Sequence, residues 1–295
     1  MYDFKSFYQA ADVDDAIRAL KENPEAVIIS GGSDVLIKIR EGKMAGCSLV
    51  SIHGIKALKG VRMDADGSIV IGPAATFSEV THDEIIRQYI PVLGAAVDQA
   101  GGPQLRNIGT VGGNVCNGAT SADSASSLFL LNAQLVLKGE NGVRTVPINE
   151  FYTGPGRTVR EQTEVLTEIR IPRLGYENFY GHYIKYGKRN AMEIATLGCA
   201  CGVRLSADKK TVEELRLAYG VAAPTPIRCG KTEALCKGMA IGAELYDAIG
   251  KGALEEVNPR SSWRASKEFR LQLVEELPKR ALKQAIQFAG GDADA

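Results

Sequence analysis

Gly101 to Asp123 reads GGPQLRNIGTVGGNVCNGATSAD, with six glycines between Gly101 and Gly118. Asn107, Thr110, Asn114, Asn117, Thr120 and Ser121 are interleaved with them, and almost no side chain in the stretch can fill a core. Glycine permits positive φ and close approach by another backbone or a ligand. Successive amides in such turns form a concave anion nest, and Asn, Thr and Ser add neutral donors. Arg106 is the one nearby cation. A structureless loop of this length inside a compact domain is uncommon and usually functional. Turn residues can also build a passive surface loop. Length and composition together favour a phosphate or nucleotide cradle.

The charge balance fits a local device of this kind. Lys+Arg and Asp+Glu both total 35, so there is no global positive field and no basic nucleic-acid surface. With 45% hydrophobic and 24% charged residues the composition is ordinary globular, and 295 residues suffice for two domains. The N-terminal residues lack a basic segment followed by an apolar run, and no apolar stretch reaches the roughly 18 residues of a membrane span. The expectation is a cytoplasmic protein. Cys47, Cys116, Cys199, Cys201, Cys229 and Cys236 include no Cys-x-x-Cys pair, and His53, His82 and His182 are far apart, so no metal site is expected. Cys199 and Cys201 fall on one face of a strand and read as buried small hydrophobes.

A second candidate element is Ile28-Ile29-Ser30-Gly31-Gly32-Ser33-Asp34, a β-branched run entering a Gly-Gly turn with Ser and Asp. Alone it is weak, because strand–turn patterns of this type are common. Gly230-Lys231-Thr232 is a decoy: a phosphate-binding P-loop needs glycine five residues earlier, where Thr225 stands. No Gly-x-Gly-x-x-Gly follows the first strand, so a Rossmann site is unsupported.

Along the chain, Asp12 or Asp14 can cap a helix through Leu20, and Thr76 or Ser78 another. Helix is expected over Ile85 to Ala100, interrupted at Pro91, and over Ser124 to Leu131. A hairpin joins Leu135–Leu137 to Val143–Val146 across Glu140-Asn141-Gly142. Closely spaced strand patterns from Val165 to Tyr219 favour an antiparallel sheet, with helices over Ala234 to Ile249 and Ala265 to Ala289 on one face. Pro278 should kink or split the second of these. The tail from Gly290 to Ala295 should be frayed. The fold class is α+β.

These residues resemble a known family. Ser30-Gly31-Gly32-Ser33-Asp34 is similar to the first FAD motif of the flavoprotein subunits of molybdenum hydroxylases. Thr110-Val111-Gly112-Gly113-Asn114, followed by Asn117 and Asp123, resembles their second motif, about eighty residues further on. Gly220 to Arg228 and Arg260 to Arg270 resemble the C-terminal domain of the same family, so the likeness covers essentially the whole chain. Ser33 stands where many relatives carry threonine or asparagine, and the hydroxyl donor survives the change from threonine.

The resemblance implies a two-lobed FAD-binding domain of the vanillyl-alcohol-oxidase type over residues 1–175, with lobes at 1–58 and 59–175. An α+β C-terminal domain over 176–290 and a tail at 291–295 follow. Val27, Ile28, Ile29, Ser30, Gly31, Gly32, Ser33 and Asp34 would wrap the FAD diphosphate and ribitol. Gly109, Thr110, Val111, Gly112 and Gly113 would contact its other side. Asn114, Asn117 and Asp123 would support that loop or bind the cofactor. Val165 or Leu166 would line the pocket, with Ile184 and Lys185 nearby. FAD would be the bound cofactor of an oxidoreductase and NAD the electron acceptor. The partners would be a molybdenum-cofactor subunit and a 2Fe–2S subunit, with no catalytic base in this chain. A purine-oxidising complex is the leading expectation. A carbon monoxide or nicotinate system, or a flavin-free scaffold, is the alternative. Arg260 to Arg270 reads as mainly structural, docking on the FAD domain or a partner.

Overall fold

The structure, a computed structural model, describes residues 2–294. At the N-terminus, β1 (Phe4–Gln9) leads into α1 (Val13–Glu22), which starts where the Asp12 carboxylate accepts the Asp15 N–H at 2.8 Å. Its Ala16, Ile17 and Leu20 are buried. β2 (Val27–Ile29), α2 (Val35–Arg40) and β3 (Cys47–Ser51) complete a parallel sheet of order β1-β3-β2. Parallel pairing needs crossover segments, which α1 and α2 supply.

The second lobe is built on an antiparallel sheet. β4 (Val61–Met63) and β5 (Ile69–Ile71) precede α3 (Phe77–His82), whose Thr76 and Glu79 form a reciprocal capping box. α4 (Glu84–Tyr89) and α5 (Pro91–Val97) are separate helices, because Pro91 cannot continue the first and opens the second. α6 (Pro103–Arg106), α7 (Val111–Cys116) and α8 (Asp123–Leu130) follow. β6 (Gln134–Gly139) and β7 (Gly142–Pro147) form the expected hairpin, closed by the Gly139–Gly142 pair. α9 (Ile148–Phe151), the small ribbon of β8 (Tyr152–Gly154) and β9 (Arg157–Thr158), and β10 (Val165–Ile171) complete the lobe. The strand order is β4-β5-β10-β6-β7.

After α10 (Arg173–Tyr176), β11 (Tyr180–Tyr186), β12 (Leu197–Leu205), β13 (Val212–Gly220) and β14 (Ile227–Arg228) pair antiparallel in that order. α11 (Gly230–Cys236), α12 (Ala243–Leu254) and α13 (Lys267–Phe288) follow. One face of the sheet, with Cys199, Cys201 and Leu217, packs on Leu245, Ile249, Val274 and Ala281 of α12 and α13. The other face, with Tyr183, Ala200 and Ala218, joins the core of the second lobe with Val92 and Leu128. The sheet is therefore covered on both sides. The molecule is α+β, with two N-terminal lobes followed by an antiparallel C-terminal domain. Among the described residues no helix is long and apolar enough to cross a membrane.

Four expectations are corrected. The stretch Gly101 to Asp123 is not a structureless loop but holds the short helices α6 and α7, the second capped by Thr110. The segment Ala234 to Ile249 is not one helix but parts of α11 and α12, separated where Gly238 and Gly242 adopt φ of +84° and +156°. α13 runs unbroken through Pro278. That proline lacks the N–H that would bond the Val274 carbonyl, and the Tyr219 hydroxyl donates to that carbonyl instead at 2.8 Å. The tail is not frayed up to Asp294: Ala293 is buried and its carbonyl accepts from Tyr246 Oη at 2.7 Å. Ala295 lies outside the described residues.

Candidate functional site

A cleft of about 800 Å³ lies between the two N-terminal lobes. That is within the few hundred to about a thousand Å³ usual for cofactor sites. One wall is the β2–α2 turn. Val27, Ile28, Ser30, Gly31, Gly32, Ser33 and Asp34 all line it. Ile29 packs away from it, against Ile39 and Leu49. Gly32 has φ of +72°, where glycine is favoured. Gly31 presses on the second lobe so closely that a Cβ would stand 1.8 Å from the Ile108 carbonyl oxygen. From Gly31 to Val35 no amide meets a backbone carbonyl among the described residues; the next one, Leu36 N–H, donates to Gly32 O at 3.0 Å. The Ser30 hydroxyl is buried without a partner. Free amides and an orphaned hydroxyl around a positive-φ glycine make a cradle for anionic oxygens.

The facing wall is α7. Thr110 Oγ1 accepts the Gly113 N–H at 3.1 Å, and the Gly112 N–H donates to Pro73 O at 2.8 Å. A Cβ on Gly112 would lie 2.4 Å from Pro73 Cβ, so glycine lets the helix rest against that proline. Neither Gly112 nor Gly113 has positive φ. Thr110, Gly112, Gly113, Asn114 and Asn117 line the cleft. Val111 belongs to the core, and Gly109 lies against Leu105 and Phe77. Asn114 Oδ1 accepts from Ser124 Oγ at 2.7 Å, which ties α7 to α8. Val165 and Leu166 of β10 also line the cavity.

Asp123, at the start of α8, lines the cleft and is 8% exposed. Tyr183 Oη donates to its Oδ1 at 3.0 Å and Lys185 Nζ to its Oδ2 at 2.9 Å. Lys185 also donates to Gln99 O at 2.8 Å. Burial pushes the Asp123 carboxyl above the usual carboxylate range, against the opposing pull of Lys185 and Tyr183. Lys185 thus stands behind Asp123 rather than among the lining residues, and Ile184 packs against the C-terminal core.

Several lining groups were not singled out from the sequence. Lys38 Nζ spans the two walls, 2.6 Å from Asp34 Oδ2 and 2.9 Å from Asn117 Oδ1. Arg160 lines the cavity while donating to the Glu161 and Glu164 carbonyls at 2.8 Å. Met192, Glu193 and Ile194 reach it from the loop between β11 and β12. Cys116 is half-buried there, and desolvation pushes its thiol up to about 11. Lys38 and Arg160 carry no local signal, being single cations in ordinary surroundings. The loop becomes part of the site only through the docking of the C-terminal sheet.

The family models agree with this architecture. Residues 2–174 match the FAD binding domain in molybdopterin dehydrogenase, and residues 182–285 match the CO dehydrogenase flavoprotein C-terminal domain. The chain therefore belongs to the FAD-binding subunits of the molybdenum hydroxylase family. It is 44% identical, over 99% of both chains, to the xanthine dehydrogenase FAD-binding subunit of Escherichia coli O157:H7. It is 29% identical to the carbon monoxide dehydrogenase medium chain of Hydrogenophaga pseudoflava, covering 95% of this chain and 96% of that one. A solved structure of carbon monoxide dehydrogenase from the same organism superimposes with a TM-score of 0.91 at 28% identity, over 98% of this chain and 99% of that one.

Proposed function

We propose that this chain is the FAD subunit of a cytoplasmic xanthine dehydrogenase, relaying electrons from a partner's 2Fe–2S clusters to NAD. The observation that carries the reading is the 44% identity across the full length of a xanthine dehydrogenase FAD-binding subunit. FAD, when bound, supplies a centre able to exchange hydride with a nicotinamide and single electrons with iron–sulfur clusters.

The chain's own residues bind and orient. The amides of Gly31 to Val35 and the Ser30 hydroxyl would hold the diphosphate, since they face the cleft without internal acceptors. Gly112 and Gly113 let the facing helix come close, and Thr110 and Asn114 fix that helix in place. Val165 and Leu166 offer an apolar surface to the rings. Asp123, held by Tyr183 and Lys185, presents a buried acceptor to the cofactor and links the cleft to β11. Molybdenum chemistry and substrate choice are assigned to partner chains.

The test is purification of the complex from its native source, with metal analysis and assays of xanthine oxidation coupled to NAD reduction. The expected result is molybdenum, iron and FAD in one complex that reduces NAD with xanthine. A complex that oxidises carbon monoxide or nicotinate but not xanthine would move the assignment to those relatives. A lone flavoprotein with full turnover would overturn the subunit reading.

A further inference from the structure

Arg260 to Arg270 carries a surface that the cofactor site does not use. Six cations gather there and on the adjoining loop: Lys188, Arg189, Arg260, Arg264, Lys267 and Arg270. Only Glu193 and Glu268 stand among them in the same two segments. The side-chain hydrogen-bond partners of these cations are neutral, and the Glu193 carboxylate accepts from the Arg189 backbone N–H rather than from its guanidinium. Buried Arg270 donates to Thr196 O at 3.1 Å, to Ser262 Oγ at 2.9 Å and to Arg260 O. Arg189 donates to Met192 O at 2.7 Å, Lys267 donates to Asn258 Oδ1 at 2.9 Å, and Arg264 lies 4.2 Å over the Trp263 ring. Elsewhere Arg62, Arg144, Arg170, Arg173 and Arg228 each face a carboxylate.

The two segments form one surface. Arg270 grips Thr196, the Thr196 N–H donates to Tyr186 O at 2.8 Å, and the Tyr186 ring meets Phe269 edge-on at 5.6 Å. Trp263, the only tryptophan in the chain, is 79% exposed beside them. Arginine and aromatic side chains on a fixed base are the groups that dominate protein interfaces. A small anion would use the cations but not three exposed aromatic rings. The patch also adjoins the cofactor cleft, because Tyr186 and Thr196 are the roots of the loop whose Met192 and Ile194 line it.

We infer that the surface formed by Trp263, Arg260, Arg264, Phe269 and Tyr186 docks an acidic face of the complex's iron–sulfur subunit. The inference rests on the subunit reading given above. Docking buries Trp263, neutralises the arginines and seats the partner at the mouth of the cleft. The cations steer the encounter, so the association rate falls with salt.

The test uses the full-length, FAD-loaded chain and the purified 2Fe–2S subunit of the same complex. Trp263 emission should shift to the blue on adding the partner. Arg260→Glu with Arg264→Glu should weaken binding by about tenfold or more, as for charges facing opposite charges, with FAD content unchanged. Lys251→Glu, which reverses a cation on α12 that already pairs with Asp247, should bind as the parent does. Equal binding by the parent and the double variant would overturn the docking surface while leaving the subunit reading intact. Failure of the parent itself to bind the 2Fe–2S subunit would overturn both. A Trp263 shift produced by NAD alone, weakened in the double variant, would make the patch a dinucleotide site and also overturn the proposal.

Discussion

Gly31 and Gly113 both line the cleft, yet a single methyl group meets different surroundings at each. At Gly31 it would collide with the Ile108 carbonyl of the other lobe at 1.8 Å, so the lobes must separate. Gly31→Ala should destabilise the fold by about 1–3 kcal/mol and lower FAD affinity together. At Gly113 the only close atom is Thr110 Oγ1 at 2.9 Å, the hydroxyl that caps α7, which needs to give by only a few tenths of an ångström. Gly113→Ala should keep its melting temperature within a few degrees of the parent, because alanine is the better helix former, while losing FAD. Differential scanning fluorimetry with a visible spectrum reads both, and full FAD retention in Gly113→Ala would contradict the proposed diphosphate position. Asp123 gives a pH signature. Burial raises its carboxyl above the unfolded value of about 3.9, so its contribution to stability is fully present below that value and is lost as pH rises through the folded one. Urea unfolding of the parent and of Asp123→Asn should therefore show the parent's relative stability falling from acid towards neutral pH; a constant difference would refute it. These glycines stood out in the sequence as close-approach residues. The contacts that constrain Gly31 and the neighbouring Gly112 did not, because Ile108 and Pro73 are brought there by tertiary packing.

Among the elements, α13 shows how a side chain repairs a helix. Pro278 leaves the Val274 carbonyl without its amide, and Tyr219 of β13 supplies a hydroxyl. Tyr219→Phe removes that donor and strands a buried acceptor, a loss of about 1–3 kcal/mol. It should lower the urea midpoint with no change in FAD content; an unchanged midpoint would mean another donor had replaced the hydroxyl. A proline inside a helical pattern is visible in the sequence, but its rescuer sits 59 positions away, so a kink or break was the natural expectation. The same limit applies to α7. Two glycines argue against a helix on propensity alone, and Gly101 to Asp123 read as a loop. The helix forms because Thr110 caps it and Gly112 packs on Pro73. Where the signal was local, as with the Pro91 break, the Glu140–Gly142 turn and the caps narrowed to Asp12 or Asp14 and to Thr76 or Ser78, it could be read directly, and the structure selects Asp12 and Thr76.

At the scale of the whole molecule, the C-terminal sheet joins the second lobe through small residues and one buried cation. Ala200 and Ala218 meet the α5–α8 layer, and Arg216 donates to Leu130 O at 2.8 Å and Gly175 O at 2.7 Å across the boundary. Desolvation pulls the Arg216 guanidinium below its ordinary value, while Glu214 holds it charged. The α+β class and the antiparallel sheet were legible from strand spacing. The covering of the second sheet face was not, since alanines at those positions look the same whether buried or exposed. That shared wall makes unfolding cooperative. Melting the FAD-binding part exposes Tyr183, Ala200 and Ala218 to water, and melting the C-terminal part exposes Val92 and Leu128. Neither half has a low-energy way to open alone. Calorimetry should give one endotherm whose van't Hoff and calorimetric enthalpies agree, and two separated transitions would show that the halves open independently. A break in the chain near residue 178 would then yield fragments that need each other in order to fold, although sequence motifs divide the chain into two modules there.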